Sequence, residues 1–273
     1  MITEKIQLLG KGLYNGDIPD ELTLTSIPTA SELDYVGSEE FEATMLDKIL
    51  PQAVVEKNIN FRNLLEIDFQ WILRCLRLLN YGPYHTTNAI YCGECGQTSY
   101  GEFRVNLNTI PCKAIPENFE NKLVIKRDEF LDFNGDVTLK LPTIQDVMNA
   151  YKDKAFINEK GRINRELARM CYMITSIKGK TNLTPIDIKM IIQKEFSSAD
   201  YILLKNEIAS LTDFGLRAGG STQCPKCHSM NASFIALVDD RFLRPSVGDL
   251  REWKHSRSAG AAEKLPGNKA TTV

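Results

Sequence analysis

STQCPKCHSM at 221–230 holds Cys224, Cys227 and His228, and the reading of this run decides the fold. Cys-x-x-Cys-His fits a covalent haem anchor, a redox dithiol, or half of a metal site. The third reading requires a second half elsewhere in the chain. IYCGECGQTS at 90–99 supplies it with Cys92 and Cys95. Random placement of the chain's cysteines would give about 0.2 pairs of this spacing, and two are present.

Two Cys-x-x-Cys pairs are the pattern of a four-thiolate zinc site. Each pair must fold into a tight knuckle whose backbone N–H groups point at the sulfurs. Gly93 and Gly96 ease the first turn, because glycine accepts positive φ. In the second, Pro225 pre-sets φ at the turn. His228 takes the place of Gly96, and histidine is among the residues enriched at positive φ. Residues 96–223, 128 in all, separate the pairs. Ordinary zinc ribbons close over roughly 15–20 residues, so the fold must join these knuckles around a large insertion. A clip closing so long a loop stabilises by about 4–5 kcal/mol in the chain-entropy model.

The rival readings fit less of the sequence. A haem anchor leaves Cys92 and Cys95 unexplained. A redox dithiol wants a helix after the motif, whereas HSMNASFIALV reads as a turn and a strand. Zinc deaminases need His-x-Glu, and none of the three histidines is followed that way. Unliganded cysteines in two loops are the remaining alternative. We expect structural zinc on Cys92, Cys95, Cys224 and Cys227, a set that leaves no open coordination position. Cys75 and Cys171 lie in apolar helical patterns and read as small buried hydrophobes. Cys112 follows a proline and has no evident partner.

The chain has 273 residues, with 33 Lys plus Arg against 35 Asp plus Glu and a net charge of −2. That balance lacks the basic excess usual in nucleic-acid binders. No apolar h-region and no run of 18 apolar residues occurs, so neither a signal peptide nor a membrane helix is expected. A reducing cytoplasm and an odd number of cysteines argue against a disulfide framework.

Residues 1–37 read as an extended N-terminal arm with turns. Ser38 caps an expected helix through EEFEATMLDKIL that ends at Pro51. Leu65, Phe69, Ile72, Leu76 and Leu79 form one apolar stripe, predicting a helix over 61–80. His85 falls in an expected loop, as a solvated residue. Residues 88–142 read as a β region: Phe103, Val105 and Leu107 alternate, and Asn134-Gly135 is a short hairpin signal. Residues 143–214 read as an inserted antiparallel helical subdomain. Thr143 with Asp146 and Thr184 with Asp187 mark helix starts. Ile163, Leu167, Met170, Ile174 and Ile177 are expected on one helix face. After the second knuckle a strand is expected, then a polar tail, 248–273, read as flexible. The fold expected is therefore α+β: a split four-cysteine zinc ribbon with a β-hairpin region and an inserted antiparallel helical subdomain, all within a main domain at 38–247.

No Gly-rich phosphate loop, G-x-S-x-G or credible Ser/His/Asp set is present in the sequence, so no catalytic residue is nominated. The order of parts (helix, knuckle, strand, hairpin, LPTIQDVM, helices, knuckle, strand, FLRPS) resembles the baseplate hub assembly proteins of T4-like contractile-tailed phages. The resemblance covers about 38–247. It rests on the four paired cysteines, the strand after each knuckle, Leu141-Pro142-Thr143, and Phe242, Arg244 and Pro245. It implies a non-enzymatic hub component or assembly chaperone. Its partners would be other baseplate proteins, with no membrane and no small-molecule substrate. It would act in the host cytoplasm during assembly and, if retained, in the virion baseplate. The alternative from the residues is a nucleic-acid-binding zinc-ribbon protein.

Overall fold

The computed structural model describes residues 2–14, 16–28, 40–92, 94–216 and 220–233, with 243, 248, 250 and 251. The chain forms two compact units. One comprises Met1–Phe61, Ile67–Ala114 and Gly215–Val273, and the other Arg62–Glu66 and Ile115–Phe214. The architecture is mixed α+β, with small antiparallel sheets. Among the described residues no helix is long and apolar enough to cross a membrane.

The first unit opens with a hairpin where an arm was expected. β1 (Thr3–Gln7) pairs antiparallel with β2 (Glu21–Thr25), in the register Ile6↔Leu22. Ile6, Leu8, Leu22 and Leu24 are buried. Alternation over five residues is enough to build one apolar face, but it is too brief to stand out in the sequence. Ser38, the expected cap, lies outside the described residues. The helix that follows, α1, runs 41–53 and passes through Pro51 instead of stopping there. Its middle turn, Met45–Ile49, is π-helical, and the Leu50 N–H reaches the Met45 carbonyl. Widening the turn just before Pro51 changes the carbonyl pattern that the missing proline N–H would otherwise leave unpaired.

α2 (Glu66–Tyr81) is the central helix of this unit. Phe61–Asn63 forms a separate 3-10 turn, so the helix begins later than the 61–80 stripe suggests. Phe69, Ile72, Leu73 and Leu76 are fully buried. Three charged residues of α2 are buried too, and each holds main chain from elsewhere in the unit. Asp68 accepts from the N–H groups of Leu9 and Gly10 and from the Tyr14 hydroxyl. Arg74 donates to the Leu107 carbonyl, and Arg77 to those of Gly82 and Tyr84. Buried charge persists when hydrogen bonds satisfy it. Burial still drives the Asp68 carboxyl up to about 6, against the pull of the Tyr14 hydroxyl and the two N–H groups.

After α2 come two paired strands, β3 (Tyr84–Tyr91) and β4 (Thr98–Asn106). His85, expected in a loop, lies in β3 opposite Val105, and Leu107 falls in a 3-10 turn beyond β4. β5 (Cys112–Lys113) pairs with β9 (Gly215–Leu216), and β10 (Gly220–Gln223) with β11 (Met230–Ser233). Cys75 is buried here. Of the strand expected after the second knuckle, only the part to Ser233 is described. Phe242, Arg244, Pro245 and most of 248–273 lie outside the described residues.

The second unit holds a three-stranded sheet in the order β6-β7-β8 and four helices. β6 (Leu123–Ile125) and β7 (Val137–Leu139) pair antiparallel, but residues 126–136 join them. Asn134-Gly135 is therefore not the two-residue turn expected. Gly135 does not occupy the left-handed region; a Cβ there would overlap Cγ of Lys178. β8 (Ile174–Ile177) pairs with β7, correcting the expectation that Ile174 and Ile177 continue a helix face. Three of its four residues, Ile174, Thr175 and Ile177, are β-branched and favour the pleated surface once a partner strand is at hand.

The helices are α3 (Ile144–Lys152), α4 (Arg165–Met173), α5 (Pro185–Glu195) and α6 (Ser198–Leu211). Capping boxes start three of them: Thr143 with Asp146, Thr184 with Asp187, and Ser197 with Asp200. Asp200 does more than cap. Its buried carboxylate also accepts from the N–H groups of Leu131, Asp132 and Phe133. Burial opposes its ionisation, but the Ser197 hydroxyl and these N–H groups outweigh that and hold its pKa below the ordinary value. The aromatic rings of Phe130, Phe133 and Phe196 pack against one another, with Phe133 and Phe196 stacked 4.1 Å apart. Cys171 is buried in α4.

Candidate metal centre

Each cysteine pair sits at the tip of a hairpin in the first unit. β3 and β4 lead into and out of residues 92–97, and β10 and β11 into and out of 224–229. The two turns close with the same bonds. In the first, the Cys92 N–H donates to the Gln97 carbonyl at 3.0 Å and the Gly96 N–H to the Cys92 carbonyl at 2.9 Å. In the second, the Cys224 N–H donates to the Ser229 carbonyl at 2.9 Å and the His228 N–H to that of Cys224 at 3.0 Å. Gly96 has φ +65° and His228 φ +59°. The histidine thus stands where the first knuckle has glycine, as the sequence spacing predicts.

β10 packs against β4 and β11 against β3, which brings the tips together. The four sulfurs all lie within 4.8 Å of one another. Cys92 Sγ is 3.5 Å from Cys227 Sγ, and Cys95 Sγ is 4.0 Å from Cys224 Sγ. A regular tetrahedron with metal–sulfur bonds of about 2.3 Å has edges of about 3.8 Å. The arrangement therefore fits a four-coordinate metal ion, and these residues can hold one. The cysteines are not disulfide-bonded.

Backbone N–H groups face two of the sulfurs. Cys92 Sγ accepts from the Cys95 N–H at 3.3 Å, and Cys224 Sγ from the Lys226 N–H at 3.4 Å. Ser229 Oγ lies 3.2 Å from Cys227 Sγ and 3.8 Å from Cys92 Sγ. Burial raises the Cys92 thiol pKa, but the Cys95 N–H and the neighbouring thiol and hydroxyl groups more than offset it, bringing the pKa down to about 6. Hydrogen bonding to Cys92 pushes the Cys95 thiol the other way, up to about 11. The Ser229 hydroxyl, chiefly, lowers Cys227. Four thiolates in so small a volume repel one another, so a divalent cation is the natural balancing charge.

Sequence reasoning named all four cysteines but missed two supporting residues. Ser229, two positions after Cys227, is a side-chain neighbour of both Cys92 and Cys227. Lys226 Nζ donates to Gln97 Oε1 at 2.6 Å, linking one knuckle to the other. A polar residue two positions after Cys227 was the only signal for Ser229. Nothing in the sequence announces a pair 129 positions apart. His228 and Cys112 are not in the four-sulfur group. Compared with known proteins, the chain matches no family model, no curated protein and no solved structure.

Proposed function

We propose that the protein is a non-enzymatic component or assembly chaperone of a phage tail baseplate hub, built around structural zinc in a split zinc ribbon. The observation that carries the structural role is the four-sulfur group itself. Cys92, Cys95, Cys224 and Cys227 lie within 4.8 Å of one another. All four corners of a tetrahedron are then protein sulfur, which leaves no place for a substrate or an activated water. Zinc suits this donor set, being borderline-soft and indifferent to redox state. The baseplate assignment rests on the sequence resemblance, and the partners are other hub proteins.

Elemental analysis of the purified protein tests the metal: one zinc per chain is expected. Co-expression with the hub proteins of a T4-like phage, followed by size-exclusion chromatography, tests the assignment. Co-elution with at least one of them is expected, and a chain that elutes alone against every one refutes it.

A second reading, nucleic-acid binding by the ribbon, draws on Tyr91 and Tyr100. They stand 54% and 83% exposed on the β3–β4 ribbon. Exposed aromatic rings can stack on bases. A salt-dependent gel shift with single-stranded DNA or RNA would favour it.

A further inference from the structure

The two cysteines of each knuckle are not equivalent. Cys92 and Cys224 are 1% and 0% exposed. Cys95 is half-buried and Cys227 is exposed. The sulfur of exposed Cys227 in one knuckle lies 3.5 Å from that of buried Cys92 in the other.

We infer that Cys227 is a site of oxidative modification by peroxide, and that Cys92 resolves it, so that a disulfide between the knuckles replaces the metal. The inference rests on the zinc reading above. Exposure decides the first step, because an oxidant reaches Cys227 without opening the fold, while Cys92 and Cys224 are shielded. The Cys227 thiolate attacks hydrogen peroxide. The O–O bond breaks, an S–O bond forms, hydroxide leaves, and the sulfur becomes a sulfenic acid. Distance decides the second step. Cys92 Sγ already stands at the separation of a reacting pair, about 3–3.5 Å. Its thiolate attacks the Cys227 sulfur, the S–S bond forms, the S–O bond breaks and a second hydroxide leaves. In total two thiolates lose two electrons and one peroxide gains them. The two remaining sulfurs cannot hold zinc tightly, and the ion is released.

This linkage differs in consequence from one within a knuckle. A Cys92–Cys227 bond joins residues 135 apart in sequence. It would keep the hairpin tips clamped after the metal has gone. A bond within either Cys-x-x-Cys would close a short loop and let the tips part.

Trypsin separates the possibilities on the unaltered protein. Cleavage after Arg77, Arg104, Arg217, Lys226 and Arg241 puts Cys92 and Cys95 in peptide 78–104, Cys224 in 218–226 and Cys227 in 227–241. The zinc-loaded protein is treated with hydrogen peroxide, released zinc is followed with a chromogenic chelator, and non-reduced peptides are mapped by mass spectrometry. The expected result is peptide 78–104 linked to 227–241, with fragmentation placing the bond on Cys92 and one zinc released per link. Retained zinc overturns the inference while leaving the zinc reading intact. So does a bond through Cys95, one between 218–226 and 227–241, or one closed within 78–104. A protein that carries no zinc before treatment overturns both.

Discussion

Removing the proposed metal should cost the first unit several kcal/mol, and the connectivity sets the size. The bond path from Cys95 to Cys224 spans 129 positions. For a loop of that length the chain-entropy model gives about 5 kcal/mol. That figure holds if the whole loop is unfolded when the first unit unfolds. The second unit takes up 115–214 and has its own core. If it stays folded, only 96–114 and 215–223 are free chain, roughly 30 residues, and the model gives about 3.6 kcal/mol. Chelation should thus lower stability by about 3.5–5 kcal/mol. With a urea slope of about 2–3 kcal/mol/M, the midpoint should fall by roughly 1–2.5 M. The assay can be specific to the unit. Trp71 lies in α2 and the second unit contains no tryptophan. Tryptophan fluorescence therefore follows the first unit, whereas far-UV circular dichroism follows both. We expect the fluorescence transition to move on chelation and to separate from the later dichroism transition. A metal-free protein whose fluorescence midpoint is unchanged would refute the reasoning.

Asp200→Ala should destabilise the second unit by about 2–4 kcal/mol in thermal or urea melts, because it removes a helix cap and leaves three N–H groups without their acceptor. The Asp200 pKa is depressed in the folded state, so its contribution is present above the ordinary value of 3.8 and is lost as pH falls below it. Asp68 has the opposite sign: its folded pKa is raised from 3.8 to about 6. The native state then holds the extra proton between those values, and stability falls as pH rises through that window, by about 3 kcal/mol in total. Asp68→Asn should remove this slope, which urea midpoints at about pH 3.5 and 7 would show; parallel pH profiles in the two proteins would contradict it. At the knuckles, His228→Gly should stabilise and Gly96→Ala destabilise, each by about 1 kcal/mol, because both positions need positive φ. A Cβ at Gly96 would meet no heavy atom within 4 Å, so a larger loss on Gly96→Ala in the same melts would point to a cause other than φ.

Much of the local structure was legible because it is written in short range. The Thr143/Asp146 and Thr184/Asp187 signals mark helix starts at the expected residues, since a cap and its partner three positions on lie within one turn. The knuckles are likewise local, and positive φ at Gly96 and His228 follows from the geometry of a few residues. The failures share a cause. Ile174–Ile177 carries a helical stripe on paper and becomes a strand because β7 lies beside it. The β1–β2 hairpin was missed because its strands are short and its closing loop is held by Asp68, some 60 positions away. Asn134-Gly135 looked like a turn, but packing against Lys178 is what its missing side chain serves.

The sequence by itself determined which sulfurs come in pairs and how each pair turns, because those features depend on neighbours within a few residues. Only the tertiary structure decided that the pairs meet and that Ser229 and Lys226 join them. It also decided that Cys227 is an exposed residue while Cys92 beside it is buried. Distances between residues more than a hundred positions apart are set by strand pairing and core packing across the whole unit, and no local pattern encodes them.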